Sequence, residues 1–116
     1  MRTLFILNDP PYGTERSYNA LRLAGALAKR DTEEIRVFLM GDAAGCAKDG
    51  QCVPQGFYNI NRMLHMLTLK HVPVAVCGSC MDARGMKEVE LVEGARRSML
   101  EELADWTQWA ERVLVF

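Results

Sequence analysis

The chain has 116 residues, of which 49% are hydrophobic and 25% are charged, so it is long enough for one globular domain with its own core. Its 14 basic and 15 acidic residues give a formal net charge of -1, which argues against nucleic acid and anionic membranes as partners. No apolar run reaches the roughly 20 residues of a membrane-spanning helix, and the first residues do not resemble a signal peptide, so we expect a cytoplasmic protein.

The first part of the chain predicts a strand, a helix and a second strand. An apolar run at 3–8 ends in the breakers DPPYG, which predicts a strand buried on both faces. Apolar residues recur at helical spacing from Ser17 to about Lys29, with Thr14 or Ser17 as the cap. A second apolar run at 34–40 predicts the next strand, so this part predicts a β-α-β unit.

A long connection follows the second strand. Gly41 and Asp42 predict a turn into a short helix or loop, and residues 43–58 contain three glycines and one proline, which favours a loop. This connection carries Cys46 and Cys52. Connections longer than about 12 residues are often functional, so these two cysteines are candidates for a site.

The next predicted elements are a helix and a third strand. Asn59 is the predicted cap of the helix. Its buried face repeats at helical spacing and consists of Ile60, Met63, Leu64 and Leu67. Residues 72–76 predict a buried strand, which Cys77 follows directly. Beyond it, 81–85 predicts one helical turn and 89–94 a short strand or extended segment.

The last predicted elements complete an α/β domain. Ser98 is the predicted cap of a final helix, and 112–116 predicts a terminal strand. The predicted buried stripe of that helix consists of Leu100, Leu103, Ala104 and Thr107. Because strands alternate with helices, we predict a single domain over 1–116. In it, helices cover both faces of a mainly parallel sheet of about five strands, which makes three layers.

Polar and reactive side chains follow the predicted strands. Asn8 ends the first strand, Asp42 follows the second and Cys77 follows the third. The carboxyl ends of parallel strands meet at one edge of a sheet, where loops and helix amino termini bind ligands. The connection with Cys46 and Cys52 leaves the same edge. We therefore expect a site at this edge, with all four cysteines of the chain near it.

Cys77 is the main candidate for reactive chemistry at this edge. If a helical turn begins after it, free amide groups stabilise its thiolate, and Arg84 adds positive charge. Gly78 lets a substrate approach the backbone, and Tyr12 in the turn after the first strand is a further candidate for lining the site. A thiolate attacks electrophilic sulfur or carbon. The same position also suits an inert cysteine that ends a buried strand, so both interpretations stay open.

Six segments in order give the chain a resemblance to a known family. They are PPYGTE, SYNALRLAGAL, VFLMGDA, GFYNINRML, VPVAVCGSCMDARG and LADWTQWAERVLVF, and they are spread over essentially the whole length of the chain. The chain resembles the DsrE/DsrF-like proteins, in particular their small YchN-like members. The resemblance implies a Rossmann-like or flavodoxin-like subunit that assembles into homo- or hetero-hexamers, and we expect this chain to form a homo-oligomer, either a trimer or a hexamer. It also implies a persulfide-carrying cysteine after the third strand, which the downstream Arg-Gly matches to Cys77.

The resemblance predicts a sulfur-relay function. Cys77 would take a sulfane sulfur from a donor protein or polysulfide, hold it as a persulfide and pass it to an acceptor protein or small thiol. This reaction would make the chain a sulfurtransferase that needs no cofactor. Cys80, which belongs to the YchN-like pattern, would resolve the persulfide as an internal disulfide and release reduced sulfur.

Three other functions compete with sulfur transfer. In a non-enzymatic oligomeric or regulatory subunit, Cys77 would be inert. A zinc site would combine Cys77 and Cys80 with Cys46 and Cys52, although the five residues between the last two exceed the usual spacing of about two to four. A thioredoxin-like dithiol would need a longer helix after the cysteines than Gly85 allows.

Overall fold

All five strands of the sheet run parallel. The computed structural model describes residues 1–116 and contains β1 (Arg2–Leu7), β2 (Glu34–Leu39), β3 (Val74–Cys77), β4 (Ala95–Ser98) and β5 (Arg112–Val115). The strands pair in the order β4-β3-β2-β1-β5. The predicted parallel α/β sheet is therefore confirmed.

Four α-helices and two short 3₁₀ helices connect the strands. The α-helices are α1 (Arg16–Leu27), α2 (Ile60–Leu69), α3 (Gly78–Ala83) and α4 (Leu100–Trp109). The 3₁₀ helices cover Gly41–Ala47 and Glu88–Glu90. None of the helices is both long and apolar enough to span a membrane.

Helices cover both faces of the sheet, as the sequence predicts. On one face, α1 and α2 pack against the strands in a core of 22 buried residues. On the other face, α4 covers a smaller cluster that consists of Leu4, Phe38, Ala75, Cys77, Leu103 and Trp106. The rings of Phe38 and Trp106 meet edge to face, with 6.0 Å between their centroids. Cys77 therefore belongs to the smaller of the two buried apolar clusters of the protein.

The predicted cap is confirmed for α2, whereas α1 has a different cap residue from the two predicted. The Asn59 side chain accepts a hydrogen bond from the Arg62 amide at 3.0 Å and caps α2. Glu15 lies at the cap position of α1, and its side chain makes no capping hydrogen bond. The Thr14 hydroxyl accepts from the Arg16 amide at 3.3 Å and donates to the Asp9 carboxylate at 3.0 Å, while the Ser17 hydroxyl donates to the Asp9 carbonyl at 2.8 Å. These two hydroxyls hold the turn after β1 against the start of α1.

The fourth strand lies later in the chain than predicted. Residues 89–94 end a 3₁₀ helix and form a turn, and the strand is Ala95–Ser98. Leu91 and Val92 are buried in the core, which explains the apolar pattern that suggested a strand. The sequence ARRS lacks such a pattern because β4 is an edge strand, and edge strands tolerate exposed charged side chains.

The last helix turns a different face to the core from the one predicted. Ser98 ends β4 instead of capping α4, and its hydroxyl donates to the Glu102 carboxylate. Trp106 is 6% exposed, whereas Leu100 is 65% exposed. Burying the large indole ring removes more apolar surface from water than burying a leucine would, and this sets the rotation of α4.

Candidate functional site

Cys77 lies where β3 ends and α3 begins. It is the last residue of the strand and directly precedes a helix of six residues. The residue is 9% exposed, and its sulfur lies 3.3 Å from the Ser79 hydroxyl oxygen. The thiol is mostly buried but opens onto a cavity at the carboxyl edge of the sheet.

The surroundings of Cys77 favour its thiolate. Burial opposes ionisation, but hydrogen bonds from the Cys80 thiol, the Ser79 hydroxyl and the backbone amides of both residues outweigh it, so the pKa of Cys77 lies below its usual value. The two amides belong to the first turn of α3. Because the thiolate is the nucleophilic form, this arrangement makes Cys77 more reactive near neutral pH than an ordinary cysteine.

Cys80 is the protonated partner of this pair. Burial and the hydrogen bond to Cys77 raise the pKa of Cys80, while the Gly41 amide and the Arg84 guanidinium oppose the rise. The Gly41 amide donates to the Cys80 sulfur at 3.1 Å. Cys80 therefore keeps its proton when Cys77 has lost its own, so the Cys80 thiol is the group that can donate to the Cys77 thiolate.

Arg84 acts on Cys80 rather than on Cys77. Its guanidinium donates to the Cys80 carbonyl at 3.1 Å and to the Asp42 carboxylate at 2.6 and 3.0 Å. Asp42 lies in the 3₁₀ helix that follows β2, so this ion pair connects that helix to α3. The sequence placed the charge of Arg84 beside Cys77, whereas the structure uses it to hold the second cysteine.

Arg97 of β4 supplies the cationic group beside Cys77. A Cβ atom at Gly78 would lie 2.9 Å from both Cζ and Nε of Arg97 and 2.8 Å from the Ser98 carbonyl oxygen. The missing side chain at Gly78 therefore makes room for Arg97 and β4, and Gly78 also lines the cavity beside Cys77. The guanidinium is held by the Asp82 carboxylate, to which it donates at 2.7 and 2.9 Å.

A cavity of about 420 Å³ opens beside Cys77. Its apolar walls are formed by Met40, Met99 and Leu100, and Arg97 is its one charged residue. Both thiols of the CGSC segment line it as well. A cavity that is mostly apolar and offers a few convergent polar groups is typical of small-molecule sites, so a small molecule can reach Cys77.

Asn8 and Tyr12 lie outside this cavity. The main-chain and side-chain amides of Asn8 both donate to the Phe116 carbonyl, at 2.9 and 3.3 Å. The Tyr12 hydroxyl donates to the Gln51 side chain at 2.6 Å and accepts from the Ile60 amide at 3.1 Å. Both residues hold connecting segments of the chain in place. They lie away from Cys77 because β2 lies between β1 and β3, the strand that ends at Cys77.

The other two cysteines do not join Cys77 and Cys80. Cys46 is fully buried, its thiol donates to the Asp9 carbonyl at 3.7 Å, and burial raises its pKa to about 12. Cys52 is exposed and does not line the Cys77 cavity. No group of three or more His, Cys, Asp or Glu side chains is arranged to hold a metal ion. The prediction that all four cysteines lie close together was wrong. A zinc site that uses the four cysteines as ligands therefore has no support in this structure.

Sequence reasoning missed three parts of this site. Ser79 carried a signal, because it lies between two cysteines at the start of a predicted helical turn. No sequence signal indicated the apolar wall of the cavity. Met99 and Leu100 lie where the sequence predicts the start of a helix that packs against the core. Arg97 also carried no signal, because its position beside Cys77 depends on the pairing of β3 with β4.

Comparison with known proteins covers the whole chain. The family model described as DsrE/DsrF-like family matches residues 1–116. The chain is 41% identical to Protein YchN of Escherichia coli strain K12, over 99% of this chain and 98% of that protein. It is 34% identical to an uncharacterized protein of Methanocaldococcus jannaschii, over 100% of each chain.

Solved structures share the fold. The crystal structure of the ychN protein from E. coli matches with a TM-score of 0.93 at 41% identity, over 99% of this chain and 98% of that chain. A protein of unknown function from Methanobacterium thermoautotrophicum matches with a TM-score of 0.75 at 16% identity, over 99% of this chain and 98% of that chain. The second likeness shows the fold alone, and the first extends it to a relative of similar sequence.

Proposed function

The chain belongs to the DsrE/DsrF-like family, and on that premise we propose that it carries sulfane sulfur as a persulfide on Cys77. The family is associated with sulfur relay. The observation that carries the proposal is a thiol whose pKa is lowered and which faces a cavity large enough for a small donor. A cysteine that only fills space at the end of a strand needs neither property.

Loading begins when the Cys77 thiolate attacks the outer sulfur of a donor persulfide, R–S–SH. A bond forms between the Cys77 sulfur and that outer sulfur, and the S–S bond of the donor breaks. The donor leaves as the thiolate R–S⁻, so the products are Cys77–S–SH and R–S⁻ without an external oxidant or reductant. Transfer repeats the step in reverse, because an acceptor thiolate attacks the outer sulfur and Cys77 leaves as its thiolate.

A second reaction of the Cys77 persulfide involves Cys80. Its thiolate attacks the Cys77 sulfur, forms a Cys77–Cys80 disulfide and expels HS⁻, so two thiols are oxidised while the sulfane sulfur is reduced to sulfide. Burial raises the pKa of Cys80, which makes this step slow near neutral pH. The protein therefore holds the persulfide long enough for an acceptor to take it.

Intact mass measurement tests the proposal. Because Cys52 is an exposed thiol that reacts on its own, the Cys52→Ser protein is the one to use. After incubation of the reduced protein with inorganic polysulfide, we expect a mass gain of at least one sulfur atom that dithiothreitol removes. Peptide mapping should place this sulfur on Cys77. A protein that gains no sulfur, or gains it at another residue, contradicts the proposal.

Two substitutions at Cys80 separate its effect on the Cys77 pKa from its role in forming the disulfide that releases sulfide. Cys80→Ser keeps a hydrogen-bond donor beside Cys77 but cannot form the disulfide, so we expect a low Cys77 pKa and no sulfide release. Cys80→Ala loses both, so the Cys77 pKa should rise toward its ordinary range of about 8.5. Because only the thiolate reacts, that rise slows alkylation of Cys77 by iodoacetamide at neutral pH and leaves it unchanged at pH well above the pKa.

The pH dependence of alkylation and a sulfide assay measure these effects. Equal Cys77 pKa values in the wild-type, serine and alanine proteins would show that Cys80 does not stabilise the thiolate. Sulfide release that continues in Cys80→Ser would show that another thiol resolves the persulfide.

We also propose that copies of this chain assemble into a trimer or hexamer, as membership of the family suggests. Exposed apolar side chains support this, since Met99, Leu100 and Val115 are 61%, 65% and 64% exposed. All three lie near the carboxyl edge of the sheet, and exposed apolar surface of this kind is typical of protein interfaces. Light scattering after size exclusion should give the mass of a trimer or hexamer of 13.1 kDa chains. A monomer contradicts this proposal.

A function that depends on a free thiolate suits a reducing compartment. Cys77 and Cys80 are both thiols in this structure, and thiols persist in the cytoplasm, where disulfides are reduced. We therefore propose that the protein acts in the cytoplasm, with a separate sulfur acceptor protein as its partner.

A further inference from the structure

Arg97 is the one charged residue that lines the cavity beside Cys77. Its Nε and Cζ atoms approach to 2.9 Å the place that a Cβ atom would occupy at Gly78, the residue directly after Cys77. The neighbouring Arg96 does not line this cavity and instead forms an ion pair with Glu102. Strand β4 thus places one of its two arginines at the reactive thiol and the other elsewhere.

The guanidinium of Arg97 retains donors that no group of the chain uses. A guanidinium has five N–H groups, and the Asp82 carboxylate accepts one hydrogen bond from Nη1 and one from Nη2 of Arg97. The bidentate pair fixes the plane of the guanidinium. The side chain of Arg97 is 42% exposed, so a small anion can reach the remaining donors from solvent.

The charges around Arg97 limit how strongly it attracts an anion. Asp82 balances much of its positive charge, and Glu88, which accepts from the Arg97 amide at 2.9 Å, adds a second nearby carboxylate. The Cys77 thiolate is a third negative group that Arg97 stabilises. An oriented guanidinium at such a partly exposed site changes a rate by a small factor rather than by orders of magnitude.

We propose that Arg97 determines donor specificity by receiving the anionic end of the sulfur donor, which makes small anionic sulfane-sulfur compounds such as inorganic polysulfide the substrates of this site. The middle of a polysulfide chain is polarisable and suits the walls formed by Met40, Met99 and Leu100. Its charged end suits the free guanidinium donors. The choice of donor rests on the proposed function of Cys77, whereas an anion site beside that thiol exists whether or not a persulfide forms.

Two alkylating reagents that differ in charge test this anion site. Iodoacetate is anionic and iodoacetamide is neutral, and both react with the thiolate, so the ratio of their rate constants at Cys77 does not depend on its pKa. The exposed Cys52 of the same molecule provides a reference ratio, and peptide mass spectrometry separates the two thiols. Arg97→Gln should lower the Cys77 ratio by about threefold to fivefold, and Arg97→Lys should retain most of it.

Two further variants serve as controls. Arg96→Gln removes a neighbouring arginine with a similar ion pair, and it should leave the ratio unchanged. Asp82→Asn removes the carboxylate but keeps Arg97, so it should raise the ratio, and it replaces Arg97→Gln if that variant does not fold. An unchanged ratio in Arg97→Gln, an equal fall in Arg96→Gln or a fall in Asp82→Asn overturns the inference.

Loading with inorganic polysulfide separates this inference from the proposed function. If both are right, Arg97→Gln lowers the alkylation ratio and also slows loading of Cys77, measured at a pH where Cys77 is fully thiolate in both proteins. If the wild-type protein gains no sulfur while the ratio still falls, the persulfide proposal is wrong and the anion site stands. If sulfur loads but neither quantity depends on Arg97, the persulfide proposal stands and the role of Arg97 is refuted.

Discussion

Replacing Cys77 by serine is expected to lower the initial rate of sulfur loading by about two orders of magnitude. A serine hydroxyl does not ionise near neutral pH and so cannot attack a sulfane sulfur. The remaining thiols do not replace it, because burial raises the pKa of Cys46 to about 12 and also raises the pKa of Cys80. The measurement is intact mass against time, in the Cys52→Ser protein and in Cys52→Ser/Cys77→Ser, with inorganic polysulfide as donor.

The folded state should survive this substitution. Serine is slightly smaller than cysteine, and the Ser79 hydroxyl that lies 3.3 Å from the Cys77 sulfur can hydrogen-bond to the new hydroxyl. Thermal unfolding of the two proteins checks that a lost signal is not a lost fold. If the double variant loads sulfur as fast as Cys52→Ser, then Cys77 is the inert strand residue of the alternative interpretation.

The position of Cys77 could be predicted because its signals are local. The apolar run at 72–76 predicts a buried strand, and the small residues after it predict a break. In an α/β sheet this places the next side chain at the carboxyl edge. Asn59 is predictable for the same reason, since its cap bond to Arg62 is made within one helical turn.

The rest of the predicted edge depended on strand order, which local patterns do not encode. Asn8 and Asp42 do follow parallel strands, and Cys77 is the last residue of another, all at the same edge of the sheet. However, β5 lies beside β1 and brings Phe116 to Asn8, while Asp42 forms an ion pair with Arg84. Asn8 and Asp42 therefore contact partners other than Cys77, although their strands end at the same edge of the sheet as β3.

The contribution of β4 shows the same limit. Ser98 pairs with Cys77 in the parallel register, which brings Arg97 over the residue that follows the thiol. That register follows from long-range packing, because the buried Leu91 and Val92 fix where the chain enters β4. A sequence pattern can identify apolar residues that will be buried, but whether they are buried in a strand or in a turn is decided by the rest of the core.

Gly78→Ala is expected to destabilise the protein by about 1–3 kcal/mol and to displace Arg97 from Cys77. The new Cβ atom would lie 2.8 Å from the Ser98 carbonyl oxygen, which is backbone and cannot move without shifting β4. It would also lie 2.9 Å from two atoms of the Arg97 side chain, which can swing away. The higher helix propensity of alanine offsets this conflict by at most about 1 kcal/mol.

Gly25→Ala is the matched control for this glycine substitution. Gly25 lies inside α1, and a Cβ atom there would have no neighbour within 4 Å, so alanine should stabilise the protein by about 0.5–1 kcal/mol. Urea unfolding of both variants should show that the free energy of unfolding falls in Gly78→Ala and rises in Gly25→Ala. The iodoacetate to iodoacetamide ratio at Cys77 should fall in Gly78→Ala and stay constant in Gly25→Ala. Wild-type stability together with a wild-type ratio in Gly78→Ala would show that close packing of β4 against α3 does not position Arg97.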